Sequence, residues 1–146
     1  MEPVAEKALA KKLFNACWDL IEKPNRNAQE DAQMLHLAHA SRWHWGNVGS
    51  EKEFAIGEWQ CARVNAILGN AKAALLHATL SAEFAEQLPD TDFMKASSAE
   101  ALAYAHHLMG DPVLAQKYKD RAVFLLEFLE LEEAQHIKSQ ILELPF

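Results

Sequence analysis

Ile67-Leu68-Gly69-Asn70 and Leu108-Met109-Gly110-Asp111 are two copies of one short turn, 41 residues apart. Each sets two apolar residues before a glycine and an Asn or Asp after it. Glycine suits the left-handed residue that ends a helix, and Asn or Asp suits the cap that begins the next one. A connection this short forces the two helices to run antiparallel, side by side. Flanking residues keep the same offset: Ala62 lies over Ala103, Ala74 over Ala115 and Ser81 over Ala122. Small residues recur where helices must approach closely. This is the pattern of stacked hairpins, each burying its apolar face only against its neighbours.

Working outward, Pro24-Asn25, Gly46-Asn47-Val48-Gly49 and Pro89-Asp90 divide the rest of the chain at similar intervals. Helices are expected near 3–23, 26–45, 51–68, 70–88, 92–109 and 112–130, with a short final helix near 132–143. Ser50 ahead of Glu51 and Glu53 reads as a capping arrangement, and Asp111-Pro112 as a cap followed by proline at the first helical position. The stretch from Ala71 to Leu88 is apolar or small nearly all round, as in a helix enclosed by others. Residues 51–68 carry two apolar stripes and should meet neighbours on two sides. The composition agrees: 25 Ala and 19 Leu stand against 5 Val, 5 Ile and 2 Thr, which leaves no room for a sizeable sheet. The expected fold is a single all-α domain over 1–146, a right-handed stack of three antiparallel hairpins (3–45, 51–88, 92–130). The acidic segment 132–143 closes it as a terminal cap.

Leu68-Gly69-Asn70 with Ala74, and Met109-Gly110-Asp111 with Ala115, resemble the turn and the following small residue of the tetratricopeptide repeat family. The resemblance covers residues 55–130. It implies a concave groove lined by the first helix of each hairpin and suited to a protein or peptide partner. The positions it assigns to that groove are Ile56, Trp59, Arg63 and Ala66, then Ser97, Glu100, Tyr104 and His107. Residues 36–80 are also similar to a group of small bacterial proteins with a His-Ala-Ser-Arg…Trp-Gly…Gly-Glu-Trp-Gln…Leu-Gly pattern, a likeness that implies no activity.

Charge narrows the partners. The chain has 14 Lys and Arg against 21 Asp and Glu, a net charge of −7, with no clustered basic face to follow a phosphate backbone. Nucleic acid is therefore not an expected partner. No apolar run approaches the roughly 18 residues that cross a bilayer, and the N-terminus lacks the basic and apolar parts of a secretory signal. A cytoplasmic protein is the expectation, with self-association through an end helix as one further role.

The densest chemistry lies in His36-Leu37-Ala38-His39-Ala40-Ser41-Arg42-Trp43-His44-Trp45 and, across the loop, Gly57-Glu58-Trp59-Gln60 with Arg63. Antiparallel pairing brings Glu58 level with Arg42 and His39. The cluster His36, His39, Arg42, His44, Trp45 and Glu58 reads either as a polar network that locks two helices or as a small-molecule or metal site. His36 and His39 can share a helix face and offer two metal ligands, but no third is identified, so no metal or cofactor is expected. Ser41, Ser97, Ser98, Cys17 and Cys61 all fall in helical sequence, without the strained turn or oxyanion loop of a nucleophile. No catalytic residue is expected. The leading reading is a non-enzymatic interaction module whose groove uses Trp59, Arg63, Glu100, Tyr104 and His107.

Overall fold

The computed structural model describes residues 1–89 and 91–146. Among the described residues the chain is all-α, with no strand. The helices are α1 (Pro3–Glu22), α2 (Ala28–Val48), α3 (Glu51–Ile67), α4 (Ala71–Glu86), α5 (Asp92–Leu108), α6 (Pro112–Leu125) and α7 (Leu131–Leu142). A 3₁₀ turn, Leu126–Phe128, joins the last two. Each helix packs on the next through α6, and α3 also touches α5. α7 lies against α5 and α6.

The two glycine turns are built alike. Gly69 and Gly110 have φ of 77° and 79°, the left-handed region that a side chain resists. The Asn70 N–H reaches back to the Asn65 carbonyl at 2.8 Å, and the Asp111 N–H to that of His106 at 2.9 Å. Both close the end of a helix by satisfying carbonyls that would otherwise lack partners. Asp111 then caps α6 by accepting from the Leu114 N–H at 3.0 Å.

The first hairpin is a third copy of the same unit. Ala10 and Cys17 of α1 take the places of Ala55 and Ala62 in α3, and of Ala96 and Ala103 in α5. All six are buried. Met34, Ala38, Ser41 and Trp45 of α2 likewise match Ala74, Ala78, Ser81 and Ala85 of α4. A shared hydrogen bond marks the equivalence. Ser41 Oγ donates to the Ala10 carbonyl at 2.9 Å, and Ser81 Oγ to the Ala55 carbonyl at 2.8 Å. Each satisfies a buried hydroxyl and fixes how one helix sits along its partner, a contribution of about 1 kcal/mol. The offset is 45 residues on the first helices and 40 on the second, because the α1–α2 connection is longer. There Asn25 takes the left-handed conformation, at φ 57°. Asn27 and Glu30 form a reciprocal capping box at the start of α2. Arg26 Nη1 donates to the carbonyls of Leu20, Ile21 and Lys23, doing for α1 what glycine does for α3 and α5.

Three local expectations are corrected. Ser50 stands at the N-cap of α3, but its side chain accepts no backbone N–H of the helix; its hydroxyl donates instead to the Glu53 carboxylate at 2.9 Å. The enclosed helix is α3, with eleven of seventeen residues buried, and not α4, which buries four of sixteen and exposes Leu76. α3 touches α2, α4 and α5, and it reaches α1 through Gln60 and Trp59, so position in the stack outweighs its lower apolar content. Finally, α6 stops at Leu125 and not near 130. No glycine or proline lies between 113 and 144 to stop it. The cause is tertiary: Leu125, Leu126 and Leu129 all turn toward one cluster with Ala96, Ala99 and Ala103 of α5 and Ile137, Ile141 and Leu144. Large residues there fill the space above alanines.

Candidate functional site

One side of the stack is a ladder with one rung from each hairpin. Phe14 and Trp18 on α1, Trp59 and Arg63 on α3, and Glu100 and Tyr104 on α5 occupy equivalent places. Trp18 stacks on Trp59 with ring centroids 5.5 Å apart. Gln60 Nε2 donates to the Phe14 carbonyl at 3.1 Å and ties α3 to α1. The Arg63 guanidinium joins the second and third rungs. Its Nη1 donates to Glu100 Oε1 at 2.6 Å, and its carbon lies 5.6 Å from the Tyr104 ring centroid.

The structure thus brings Trp59, Arg63, Glu100, Tyr104 and His107 together, but it does not leave them all open. Trp59 and Arg63 are 5% and 6% exposed, and Glu100 is fully buried. Tyr104 and His107 are half-buried. The C-terminal segment supplies the cover. Glu143 accepts from Arg63 Nη2 at 2.6 Å, Phe146 stacks on His107 at 4.8 Å, and Lys119 Nζ holds the Phe146 carbonyl. What stays accessible is a trough floored by α3, with α1 on one side and α7 on the other. Sequence reasoning missed the α1 rung entirely. Its signal was Phe14 and Trp18 at a spacing of four, matching Trp59 and Arg63, hidden by the change of offset.

Glu100 is the most perturbed group of this face. Burial pushes its carboxyl up to about 7; Arg63 and the Trp59 indole oppose that shift, and Glu143 adds to it. Among the described residues, one of its oxygens, Oε2, has no hydrogen-bond partner, and neither has the Trp59 indole N–H. The Trp59 N–H therefore favours the Glu100 charge without reaching hydrogen-bonding geometry.

The second candidate cluster lies on the other side of α3. Glu58 Oε1 accepts from Arg42 Nε at 2.9 Å, and Oε2 lies 2.6 Å from His77 Nδ1, which must carry the proton because a carboxylate only accepts. Burial opposes ionisation of Glu58, yet the His77 and Arg42 contacts outweigh it and hold its carboxyl below the usual range. Arg42 also lies over Phe54, 4.6 Å from the ring centroid. Gly57 permits this. A Cβ there would stand 2.8 Å from Arg42 Cδ.

His39 packs edge-on against His77, with centroids 5.0 Å apart, and its Nε2 lies 3.3 Å from Asn65 Nδ2. Lost hydration and the neighbouring His77 lower its pKa. The remaining residues of the cluster go elsewhere. His36 is exposed, Trp45 is buried at the end of α2, and His44 Nδ1 meets Glu6 at 2.9 Å. His77 was the partner not foreseen, because it sits nineteen residues from Glu58 on the next helix.

Among the described residues no group of three His, Cys, Asp or Glu side chains is placed to hold a metal ion. Both cysteines are free and buried; burial raises the thiol pKa of each, that of Cys17 to about 12, so neither is a ready nucleophile. No described helix is long and apolar enough to cross a membrane. Exposed Phe124 and Phe128 pack edge-on at the far end of the stack.

No family model, curated protein or solved structure matches the chain.

Proposed function

We propose that the protein is a non-enzymatic interaction module, which receives a segment of a protein partner on its concave face as tetratricopeptide-like arrays do. The observation that carries this reading is the three-rung ladder. Equivalent positions of α1, α3 and α5 share one side of the stack, and the trough left open between α1 and α7 holds the half-buried aromatics Phe14 and Trp18 at its edge. Tryptophan is among the side chains enriched at binding hot spots. Two further features favour it. The Arg42–Glu58–His77 cluster has its partners already in place, and the thiols are masked by burial.

The cluster around Arg42 and Glu58 gains less support as a ligand site. Both oxygens of its carboxylate are taken, so a ligand would have to displace Arg42 or His77.

Arg63 sits too deep to test binding, since changing it would disturb the fold. A photo-crosslinking residue at position 18, compared with one at the exposed Trp43, separates the two faces. The expected result is a discrete partner captured from the native lysate at position 18 and not at 43, and lost with Phe14→Ala while helicity is kept. Equal capture at both positions, or none at 18, would overturn the proposal.

A further inference from the structure

Between α4 and α6, floored by α5, lies a cavity of about 280 Å³. The same place one hairpin earlier, between α2 and α4 on α3, is filled by Arg42, Glu58 and His77. The two places correspond by the repeat offsets, 40 residues from α2 to α4 and 41 from α3 to α5 and from α4 to α6. Ala82 then stands for Arg42, Ala99 for Glu58 and Tyr118 for His77, and all three line the cavity. Gly57 makes way for the Arg42 side chain; its counterpart Ser98 has no such arginine beside it and carries a side chain. The cavity is thus the space of an ion pair that the third hairpin lacks.

We propose that this cavity binds a small aliphatic dicarboxylate, one of whose carboxylates takes the place that Glu58 holds in the earlier groove. It shares no lining residue with the trough between α1 and α7, where His136 meets Trp18 edge-on at 6.3 Å. This site and the partner-binding reading can therefore fail separately.

Charge selects an anion. Lys95 replaces Phe54, and Lys117 and Arg121 replace Leu76 and Leu80, so three cations gather where the earlier groove has apolar side chains. Among the described residues Glu86 is the one acid that lines the cavity, and it lies 3.5 Å from Arg121. Both ends of that pair are exposed, and such a pair is worth little. Asp120, next to Arg121, accepts from Gln116 at 2.9 Å and does not line the cavity. An excess of two positive charges remains, in a chain whose net charge is −7.

The surroundings also choose among anions. Ala99 and Leu102 of the floor are 2% and 8% exposed, and an apolar floor suits a carbon chain. The cations stand on two helices, Lys95 on α5 and Lys117 with Arg121 on α6. Two separate carboxylates meet that arrangement better than one compact phosphate. Tyr118 offers a hydroxyl donor where His77 donates to Glu58. Size agrees: a cavity of about 150 Å³ admits benzene, so this one has room for a chain of glutarate's length.

The test is titration of the full chain, labelled at its alanine methyl groups, with glutarate at low salt, followed by NMR. The expected result is a saturable shift of the Ala82 and Ala99 methyls, while Ala10 and Ala38 in the first hairpin stay unmoved. Butyrate, with one carboxylate, should bind about fivefold more weakly, and glutaramide, with none, should not bind. Lys95→Gln and Lys117→Gln should each weaken glutarate by about the same factor with the fold intact. Ala99→Glu restores the carboxylate of the earlier groove and should abolish binding while raising Tm. If that variant fails to fold, the two lysine variants decide.

Equal shifts with glutaramide, or no saturable shift at millimolar glutarate, would overturn the proposal. So would unchanged affinity in both lysine variants. Inorganic phosphate bound more tightly than glutarate would make this a phosphate site and rule the dicarboxylate out. If N-acetyl-glutamate α-amide bound as tightly as glutarate, the site would belong to an acidic side chain of a partner, and the free ligand would be excluded.

Discussion

Glu58 and Glu100 sit on neighbouring central helices, each against an arginine, yet their carboxyl groups shift in opposite directions. Glu58 is 6% exposed and has a partner on each oxygen, Arg42 and His77. Glu100 is fully buried, with Arg63 on one oxygen and nothing on the other. Desolvation is the largest influence on both. Arg42 and His77, each hydrogen-bonded, overcome it at Glu58; at Glu100 the Arg63 ion pair and the nearby Trp59 indole do not, and Glu143 adds to the shift. The number of satisfied lone pairs, more than the presence of an ion pair, decides whether a buried carboxylate stays charged.

The largest test of this contrast removes each arginine in turn. Arg63→Met strands Glu100, which is fully buried, and should cost about 3–5 kcal/mol. Arg42→Met leaves Glu58 with His77 and the surface nearby, and should cost about 1–3 kcal/mol. Urea unfolding of the two variants gives the comparison. Equal losses, or a larger one at Arg42, would break it.

Acidity sharpens the contrast next. The folded pKa of Glu100, about 7, lies above its ordinary 4.5. The folded state therefore holds a proton that the unfolded chain releases, and stability contributed by this group falls as pH rises from 4.5 to 7. Glu58 has the opposite sign. Its lowered pKa contributes stability above 4.5 that is lost as pH falls through the folded value. Thermal melts of Glu100→Gln should lack the neutral-side decline, by several degrees, and those of Glu58→Gln should lack the acid-side decline. A wild-type decline kept in Glu100→Gln would remove that residue from the account.

The smallest effect concerns the glycine that lets Arg42 lie flat. Gly57→Ala should gain up to about 1 kcal/mol in helix propensity but drive a Cβ against Arg42 Cδ, for a net loss of about 1 kcal/mol. In an Arg42→Ala background the same change should turn favourable. A gain in both backgrounds would mean that Arg42 is not held in place.

The turns at Gly69 and Gly110 were legible because a left-handed residue has few substitutes, and so was the 41-residue offset they share. The first hairpin was not, since Arg26 closes α1 in place of a glycine and the longer link shifts every later match. The enclosed helix was misjudged for a related reason. Apolar content pointed to α4, but burial follows the number of neighbours, and α3 has four. Within the candidate site, Arg42 with Glu58 follows from antiparallel pairing about Val48. His77 and the return of Glu143 to Arg63 depend on how whole hairpins are stacked, which local pattern does not encode.

Trp18 and His136 belong to the first and last helices, so the span they form reports the length of the array. Residues 51–91 hold one complete hairpin and its link, and duplicating them would insert a fourth. With helix axes about 8–10 Å apart, α7 would move too far from α1 for that span to form. The trough would then stand open along its whole length. Three units are thus the number at which this array meets itself, and its closure is a property of counting as much as of any single residue.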